Sequence, residues 1–323
     1  MLFFLTACEE DNLTLGTAEE LSPTESATAY NFRGNDFKLQ DGHLTFATEE
    51  ELYATVRTMA GNYDDAGKFF TNIPKYRSSR TAYLELIANN DLTLDDVATH
   101  SSLLHRYERG GESYIDHTVD DLGLEYLVNA AGILEAGPYI YDLSVRNQPV
   151  KIAADVFYKD ASTKTFEKAG AMPIKLDRSD ESGFQKVDVR TCRTDFTAGG
   201  NNHRITGQLE RSEIFGSFGF LWNFNVRTRF FRKRLGVWFG VQADDLRSNW
   251  DLWINLIDVQ GRATPTRFQG SHVARDGDQQ NTRFILVEET TENSVYMSGQ
   301  TGLNRSRNTA VEDGTTGECN CGL

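Results

Sequence analysis

A long stretch of alternating apolar and polar residues constrains the fold of this chain more than any other feature. Side chains of a β-strand point alternately to opposite faces, so a period of two predicts a half-buried strand. Between positions 214 and 230 this period predicts one long strand, whose apolar members are Ile214, Phe218, Phe220, Trp222, Phe224, Val226 and Phe230. The alternation resumes from Leu235 to Val241, and Arg232-Lys233-Arg234 is the predicted hairpin tip between the two strands.

Further strands are predicted on both sides of this hairpin. Gly137-Pro138 marks a turn between Ile133-Leu134 and Tyr139–Leu143. The other strand candidates are Val150–Tyr158, Trp250–Leu256, Phe284–Val287 and Val295–Met297. Residues 131–298 are therefore predicted to be β-rich. Residues 299–323 are rich in Gly, Asn and Thr, and we expect a flexible tail there.

Residues 41–130 are predicted to be mainly helical. Thr48 with Glu51, Thr93 with Asp96 and Thr118 with Asp121 have helix-capping spacing, and Ser79 is a fourth candidate cap. Gly110-Gly111 is expected to end the third of these helices. The fold class predicted from these patterns is α+β, in which a helical N-terminal part precedes an antiparallel β-rich part. The β-rich part is expected to be a sandwich or a half-open barrel.

The charge balance excludes some partners. The chain of 323 residues carries 47 acidic and 33 basic side chains, a formal net charge of −14. Nucleic-acid binding requires a positive surface, so no nucleic acid is expected as a partner. No run of about 18 apolar residues is present, and no transmembrane helix is predicted.

The first eight residues predict a membrane anchor. Leu5-Thr6-Ala7-Cys8 resembles the lipobox of bacterial lipoproteins, which implies lipidation of Cys8 and cleavage before it. Signal peptides have a basic start and a longer apolar core, so residues 1–8 are interpreted as a truncated signal-peptide remnant. The alternative is a chance tetrapeptide in a cytoplasmic protein.

An acidic segment follows the predicted anchor. Residues 9–40 are interpreted as a flexible tether, because residues 9–30 contain six acidic side chains and no Lys or Arg. Acidic residues directly after the cysteine resemble the surface-export signal of Bacteroidota lipoproteins, which implies a surface-exposed outer-membrane protein. In other bacteria an acidic second residue retains a lipoprotein at the inner membrane.

Three stretches carry a family resemblance. Asp41–Phe46 runs into the Thr48 helix, Asn129-Ala130-Ala131-Gly132 leads into the Gly137-Pro138 hairpin, and Leu235-Gly236-Val237-Trp238 lies in the strand pair. This arrangement resembles uncharacterised cell-surface lipoproteins of Bacteroidota over about a third of the chain. The resemblance implies a location on the cell surface and an architecture, and it implies no activity.

A basic cluster supplies the candidate ligand site. Arg227, Arg229, Arg232, Lys233 and Arg234 lie within eight residues that include no acid. Alternation places Arg227 and Arg229 on an outward face, where guanidinium groups bind carboxylates and phosphates. The predicted partner is an acidic glycan, a lipopolysaccharide phosphate or an acidic protein. The alternatives are protection of a strand edge and pairing with the chain's own carboxylates.

Two tryptophans join this candidate site. Trp238 and Trp253 fall opposite the main apolar sets of their strands and are expected to face outward, where they can stack on sugar rings. The alternative is a second packed layer.

No other pattern indicates a catalytic or metal site. His100, His105 and His117 lack the spacing that puts ligands on one helical face, and Asp276-Gly277-Asp278 departs from a calcium loop at Asn281. No cofactor and no catalytic residue are therefore predicted. Cys192 is expected to form a disulfide with either Cys319 or Cys321 in an oxidising compartment.

The predicted function is that of a non-catalytic surface lipoprotein with a binding or structural role. An envelope hydrolase with a carboxylate site and a subunit of a surface fibre are the alternatives.

Overall fold

Strands dominate the fold. The computed structural model describes residues 27–60, 62–88, 92–119, 123–144, 150–154, 172–173, 190–216, 219–257, 263–274, 281–290, 295–297 and 305–322. Within these ranges there are three sheets and four short helices. The helices are α1 Glu49–Ala60, α2 Tyr63–Thr71, α3 Ser79–Ala88 and α4 Leu94–Thr99.

The strands of the N-terminal half are β1 Thr28–Phe32, β2 Asn35–Gln40, β3 His43–Phe46, β4 Leu104–Arg109, β5 Glu112–His117, β6 Ile133–Ala136, β7 Tyr139–Asp142, β8 Val150–Ala153 and β9 Met172–Pro173. Those of the C-terminal half are β10 Arg190–Ala198, β11 Asn201–Gly216, β12 Gly219–Arg234, β13 Val237–Gly240, β14 Asp245–Ile257, β15 Ala263–Val273, β16 Asn281–Thr290, β17 Val295–Met297, β18 Arg305–Glu312 and β19 Thr315–Cys321.

Sheet I has the strand order β1-β2-β3-β6-β7-β8-β9 and is antiparallel except for the β3–β6 pair. Helices α1 and α2 pack against it. Leu52, Val56 and Met59 of α1 share one apolar core with Phe37 and Phe46 of the sheet. The apolar stripe of α1 is therefore buried against a sheet rather than against other helices.

Sheet II has the order β10-β11-β12-β13-β5-β4, with β16 also paired to β12. Sheet III has the order β15-β14-β18-β19, with β17 also paired to β14. The two sheets share apolar clusters: Ile205 and Phe230 of sheet II pack with Leu246 and Ala310 of sheet III. Helix α3 packs on sheet II through Tyr83 and Ile87.

The prediction of a helical N-terminal part is wrong, and the fold is mostly β rather than α+β. Helix α4 ends at Thr99, and Leu104–Arg109 forms a strand that pairs with β5. Gly110 and Gly111, interpreted as a helix stop, have φ angles of 59° and 78°. Two successive left-handed residues make the tight turn of a β-hairpin, and Gly-Gly is a favoured sequence for it.

The long strand predicted over residues 214–230 is also wrong. Strand β11 ends at Gly216 and β12 begins at Gly219, and these two glycines are partners in an antiparallel register. A period of two does not show where a strand reverses. The next turn lies at Leu235-Gly236, directly after the predicted tip, because Arg234 pairs with Val237.

Two segments expected to be flexible contain strands. The predicted tether ends before residue 40, since β1 starts at Thr28 and pairs with β2. The predicted tail contains β18 and β19, which complete sheet III. Residues 1–26, which include the predicted lipidation site Cys8, lie outside the described residues, as do residues 275–280 of the calcium-loop candidate.

Other local predictions are confirmed. Thr48 Oγ1 accepts a hydrogen bond from the Glu51 backbone N–H at the start of α1, and Thr93 with Asp96 forms the capping box of α4. The hairpin of β6 and β7 turns at Gly137-Pro138. Among the described helices, none has the length and apolar character that crossing a membrane requires.

Candidate ligand-binding site

One face of sheet II gathers arginines and aromatic rings. Register sets this face: Phe231 lies beside Arg204, Lys233 beside Trp238, and Trp238 beside Tyr114. Cross-strand partners point to the same side of a sheet, so these residues share a face. We call it the polar face of sheet II, defined by Tyr107, Arg109, Glu112, Tyr114, Arg193, Asp195, Arg204, Thr206, Gln208, Arg227, Arg229, Phe231, Lys233 and Trp238.

Glu112 is a carboxylate on this face that several basic and aromatic side chains contact. It accepts hydrogen bonds from Arg204 and from Trp238 Nε1, the latter at 3.2 Å, and Arg193 lies at 3.2 Å. The Arg204 hydrogen bond is the main cause that lowers the pKa of Glu112 to about 2. Hydrogen bonding to the charged form of a carboxyl stabilises that form, so Glu112 is a carboxylate at neutral pH.

Arg204 contacts an aromatic ring and two carboxylates. Its guanidinium lies 4.0 Å from the centre of the Trp238 ring and makes a two-pronged contact with Asp195, with distances of 2.6 and 2.7 Å. Only 3% of the Arg204 side chain is exposed. Planar guanidinium groups suit both contacts. Arg204 therefore fixes Glu112, Asp195 and Trp238 rather than presenting a free charge.

Arg229 and Asp116 form a second ion pair. Arg229 Nη1 donates to Asp116 Oδ2 at 2.8 Å, and the Tyr83 hydroxyl donates to Asp116 Oδ1 at 2.9 Å. All three residues are buried. The pair joins β12 to β5 and to helix α3, so it stabilises the contact between the helix and sheet II.

A cavity of about 450 Å³ opens on the polar face of sheet II. Its wall includes Arg109, Arg193 and Arg229 from three different strands, together with the ring of Tyr107 and the amide of Gln208. The volume is within the range of small-molecule sites, about 300–1,000 Å³. The cavity therefore combines a suitable size with three guanidinium groups.

The basic cluster predicted from sequence is split by the fold. Arg227, Arg229 and Lys233 fall on the polar face, whereas Arg232 and Arg234 point to the opposite side by alternation. Arg227 and Arg229, expected to be outward, are 1% and 5% exposed. Their exposure was wrongly predicted because alternation separates two faces of a strand without telling which face meets solvent.

The two predicted tryptophans are in different sheets. Trp238, expected to face outward, is buried beneath Arg204, and Lys233 lies 5.0 Å from its ring centre. Trp253 is half-buried in sheet III, with the Arg267 guanidinium 5.8 Å from its ring. The structure therefore places Arg227, Arg229, Lys233 and Trp238 on one face of sheet II and leaves Trp253 in sheet III.

Sequence reasoning missed several members of the polar face. Arg109 and Glu112 flank the Gly110-Gly111 turn, and a hairpin interpretation of that dipeptide would have placed both on one face. Arg193 and Gln208 carry no such local signal, because their proximity depends on the pairing of β10 with β11.

A buried hydroxyl–imidazole–carboxylate chain lies beside α3. Ser79 Oγ is 2.9 Å from His117 Nε2, and His117 Nδ1 is 3.7 Å from Glu125 Oε2. This order of groups occurs in acyl-transfer enzymes. All three side chains are fully buried, and Tyr83 stacks on the His117 ring at 4.6 Å. A substrate has no access to Ser79 in this conformation, so the chain is interpreted as structural.

A larger cavity of about 940 Å³ lies between α2, α3 and β15. Its acidic groups already have partners: Asp65 pairs with Arg33, Glu85 with Arg77, and Asp64 lies 3.2 Å from His272 Nε2. It lacks the concentration of cations that the polar face has. The smaller cavity is therefore the better candidate for a ligand.

Three cysteines meet where sheets II and III join. Cys192 of β10 forms a disulfide with Cys321 of β19, and the Cys319 Sγ lies 3.0 Å from the Cys192 Sγ. Cys319 is a buried free thiol, and burial raises its pKa to about 12. Of the two pairings that the sequence left open, the structure contains the one with Cys321.

Comparisons with known proteins do not assign this chain to a family. No protein-family model matches the sequence. A search of curated proteins finds no match. One solved structure, a DUF4848 family protein from Bacteroides thetaiotaomicron, is 10% identical and aligns over 87% of this chain and 98% of its own length, with a TM-score of 0.26. A TM-score this low does not establish a shared fold.

Proposed function

We propose that this chain is a non-catalytic ligand-binding lipoprotein of the bacterial cell envelope. In this proposal it is anchored through Cys8 and exposed on the outer membrane, and the cavity of the polar face binds an anionic partner. The observation that carries the proposal is the meeting of Arg109, Arg193 and Arg229 around one cavity in a chain whose net charge is −14. A cluster of positive charge raises the local concentration of anionic ligands at the surface that carries it.

The anchor is supported by the Leu5-Thr6-Ala7-Cys8 sequence and by the acidic residues that follow it. Metabolic labelling with an alkyne fatty acid tests it, using the gene with its full upstream start. Wild type and Cys319→Ser, which changes a buried cysteine, are expected to take up label, and Cys8→Ala is not. Label retained by Cys8→Ala would contradict lipidation at this residue.

Binding is tested on an array of anionic glycans, neutral glycans and acidic peptides, with the purified full chain as probe. We expect retention of anionic members, and loss of that retention in the Arg109→Gln variant. A chain that retains no anionic member, or retains neutral members equally, would contradict the proposed binding function.

A further inference from the structure

One guanidinium group of the cavity has no carboxylate partner among the described residues. Of its three guanidinium groups, Arg193 lies 3.2 Å from Glu112 and Arg229 lies 2.8 Å from Asp116. Arg109 is half-buried and makes no ion pair or side-chain hydrogen bond with any described residue. Glu112 is also shared with Arg204 and Lys233, so Arg109 is the guanidinium group of the cavity that is left to bind a carboxylate through two parallel hydrogen bonds.

A second observation at the same cavity indicates a hydrogen-bond donor on the ligand. The Gln208 side chain lines the cavity and is only 4% exposed, and its Oε1 has no hydrogen-bond partner within the described part of the chain. A buried acceptor without a partner is destabilising, because its hydrogen bonds to water are lost and not replaced. A hydroxyl group of a ligand would supply the missing donor.

Aromatic rings complete the wall. Tyr107 is half-buried and stacks on Tyr114, with ring centres 5.3 Å apart and planes 13° apart. Phe231 meets Tyr114 edge-on at 5.4 Å. Aromatic side chains combine apolar faces with fixed geometry, and such a face can contact the C–H groups of a sugar ring.

We propose that this cavity binds a saccharide bearing a carboxylate, in which Arg109 holds the carboxylate and Gln208 accepts a hydrogen bond from a hydroxyl. This inference deepens the proposed binding function and rests on it. The unpaired guanidinium of Arg109 is the reason for the carboxylate, and the unpaired amide oxygen of Gln208 is the reason for the hydroxyl. The exposed part of the Tyr107 ring is the reason for the sugar ring.

Titration calorimetry on the full chain tests this with two matched pairs of probes. The methyl glycosides of glucuronic and galacturonic acid are compared with those of glucose and galactose, which carry a hydroxymethyl group in place of the carboxylate. We expect at least one acid to bind about tenfold to a hundredfold more tightly than its neutral counterpart, because a hydrogen bond to a charged group is lost in the latter.

Variants separate the two contacts. Arg109→Gln is expected to remove the preference for the acid, whereas Gln208→Leu is expected to weaken the acid and the neutral sugar alike, by about threefold to tenfold. Arg106→Gln is the control, since this exposed arginine lies three residues away on the other face of β4. Thermal unfolding of each variant shows that the fold is intact.

Equal binding of acid and neutral sugars, or an equal loss in the Arg106→Gln control, would overturn the proposal. Phosphorylated sugars or acidic peptides that bind in an Arg109-dependent way, without any binding of the sugar acids, would also overturn it while sparing the proposed binding function. Failure of every anion to bind would refute both.

Discussion

Arginines in this protein have different roles according to their partners. Arg204 and Arg229 are buried, each paired to a carboxylate, and each fixes neighbouring side chains. Arg109 has no such partner among the described residues. Removing one partner from a buried ion pair leaves an uncompensated charge and destabilises the fold. Mutation of Arg204 or Arg229 therefore tests stability, and mutation of Arg109 tests binding.

Glu112 should make stability depend on pH. Its pKa of about 2 in the folded protein lies below the ordinary 4.5. A depressed carboxyl pKa contributes stability that is present above about pH 4.5 and is lost as pH falls towards 2. We expect wild type to lose more free energy of unfolding than Glu112→Gln between pH 6 and pH 3, with a difference of about 1–3 kcal/mol. Urea unfolding of both proteins at pH 6 and at pH 3 measures this difference in the free energy of unfolding.

The control for this prediction is Glu108→Gln. Glu108 lies four residues away on the exposed side of β4, where 61% of its side chain is accessible. This control should keep the pH dependence of wild type. If Glu112→Gln behaves like the control, the hydrogen bond from Arg204 does not stabilise the folded state.

The cysteine cluster predicts a substitute disulfide. In Cys321→Ser we expect Cys192 to pair with Cys319 during oxidative folding, because the two Sγ atoms are already 3.0 Å apart. Peptide mapping without reduction should show only the Cys192–Cys321 bond in wild type. There the protonated Cys319 thiol is a poor nucleophile, since the thiolate is the attacking species. A free Cys192 in the variant would contradict this arrangement.

At the level of elements, close approach of β11 to β18 and β19 requires a glycine. A Cβ on Gly207 would lie 2.1 Å from Asn308 Nδ2 and 2.7 Å from Cys321 Sγ. We expect Gly207→Ala to lower the free energy of unfolding by about 1–3 kcal/mol through overpacking. Thr206→Ala, one residue earlier on the other face, should have a smaller effect. Denaturant unfolding compares the two, and equal losses would contradict the close packing of sheets II and III.

Local signals in the sequence identified some elements and not their pairing. The capping residues Thr48 and Thr93 correctly placed the starts of α1 and α4, since a cap acts on its own helix. Residues 104–109 were assigned to a helix because apolar residues at helical spacing also fit a strand, and only the partner strand decides. Register between distant strands is a tertiary property, so the polar face was only partly predictable.

At the level of the whole molecule, sheets cross the predicted boundary at residue 130. Strand β3 pairs in parallel with β6 in sheet I, and β5 pairs in parallel with β13 in sheet II. Each parallel pair joins strands that are far apart in sequence, which composition does not reveal. The cavity depends on this connectivity, because Arg109 comes from the N-terminal half and Arg193 and Arg229 come from the C-terminal half.

The hydrolase and the fibre subunit stay as alternatives from the sequence. The hydrolase predicted from the sequence uses a carboxylate site, so the burial of Ser79, His117 and Glu125 argues only against a different, serine-based hydrolase. The fibre alternative predicts polymerisation of the purified protein at neutral pH, whereas a ligand-binding lipoprotein should elute at one defined size.

Protease treatment of intact cells tests the central claim of a surface-anchored binding protein most directly. Cells express either wild type or Cys8→Ala from the gene with its full upstream start, and an internal periplasmic protein reports on envelope integrity. The account predicts that wild type is digested on whole cells, while Cys8→Ala is released to the medium or the periplasm. Wild type that resists the protease and fractionates with the cytosol would contradict the account.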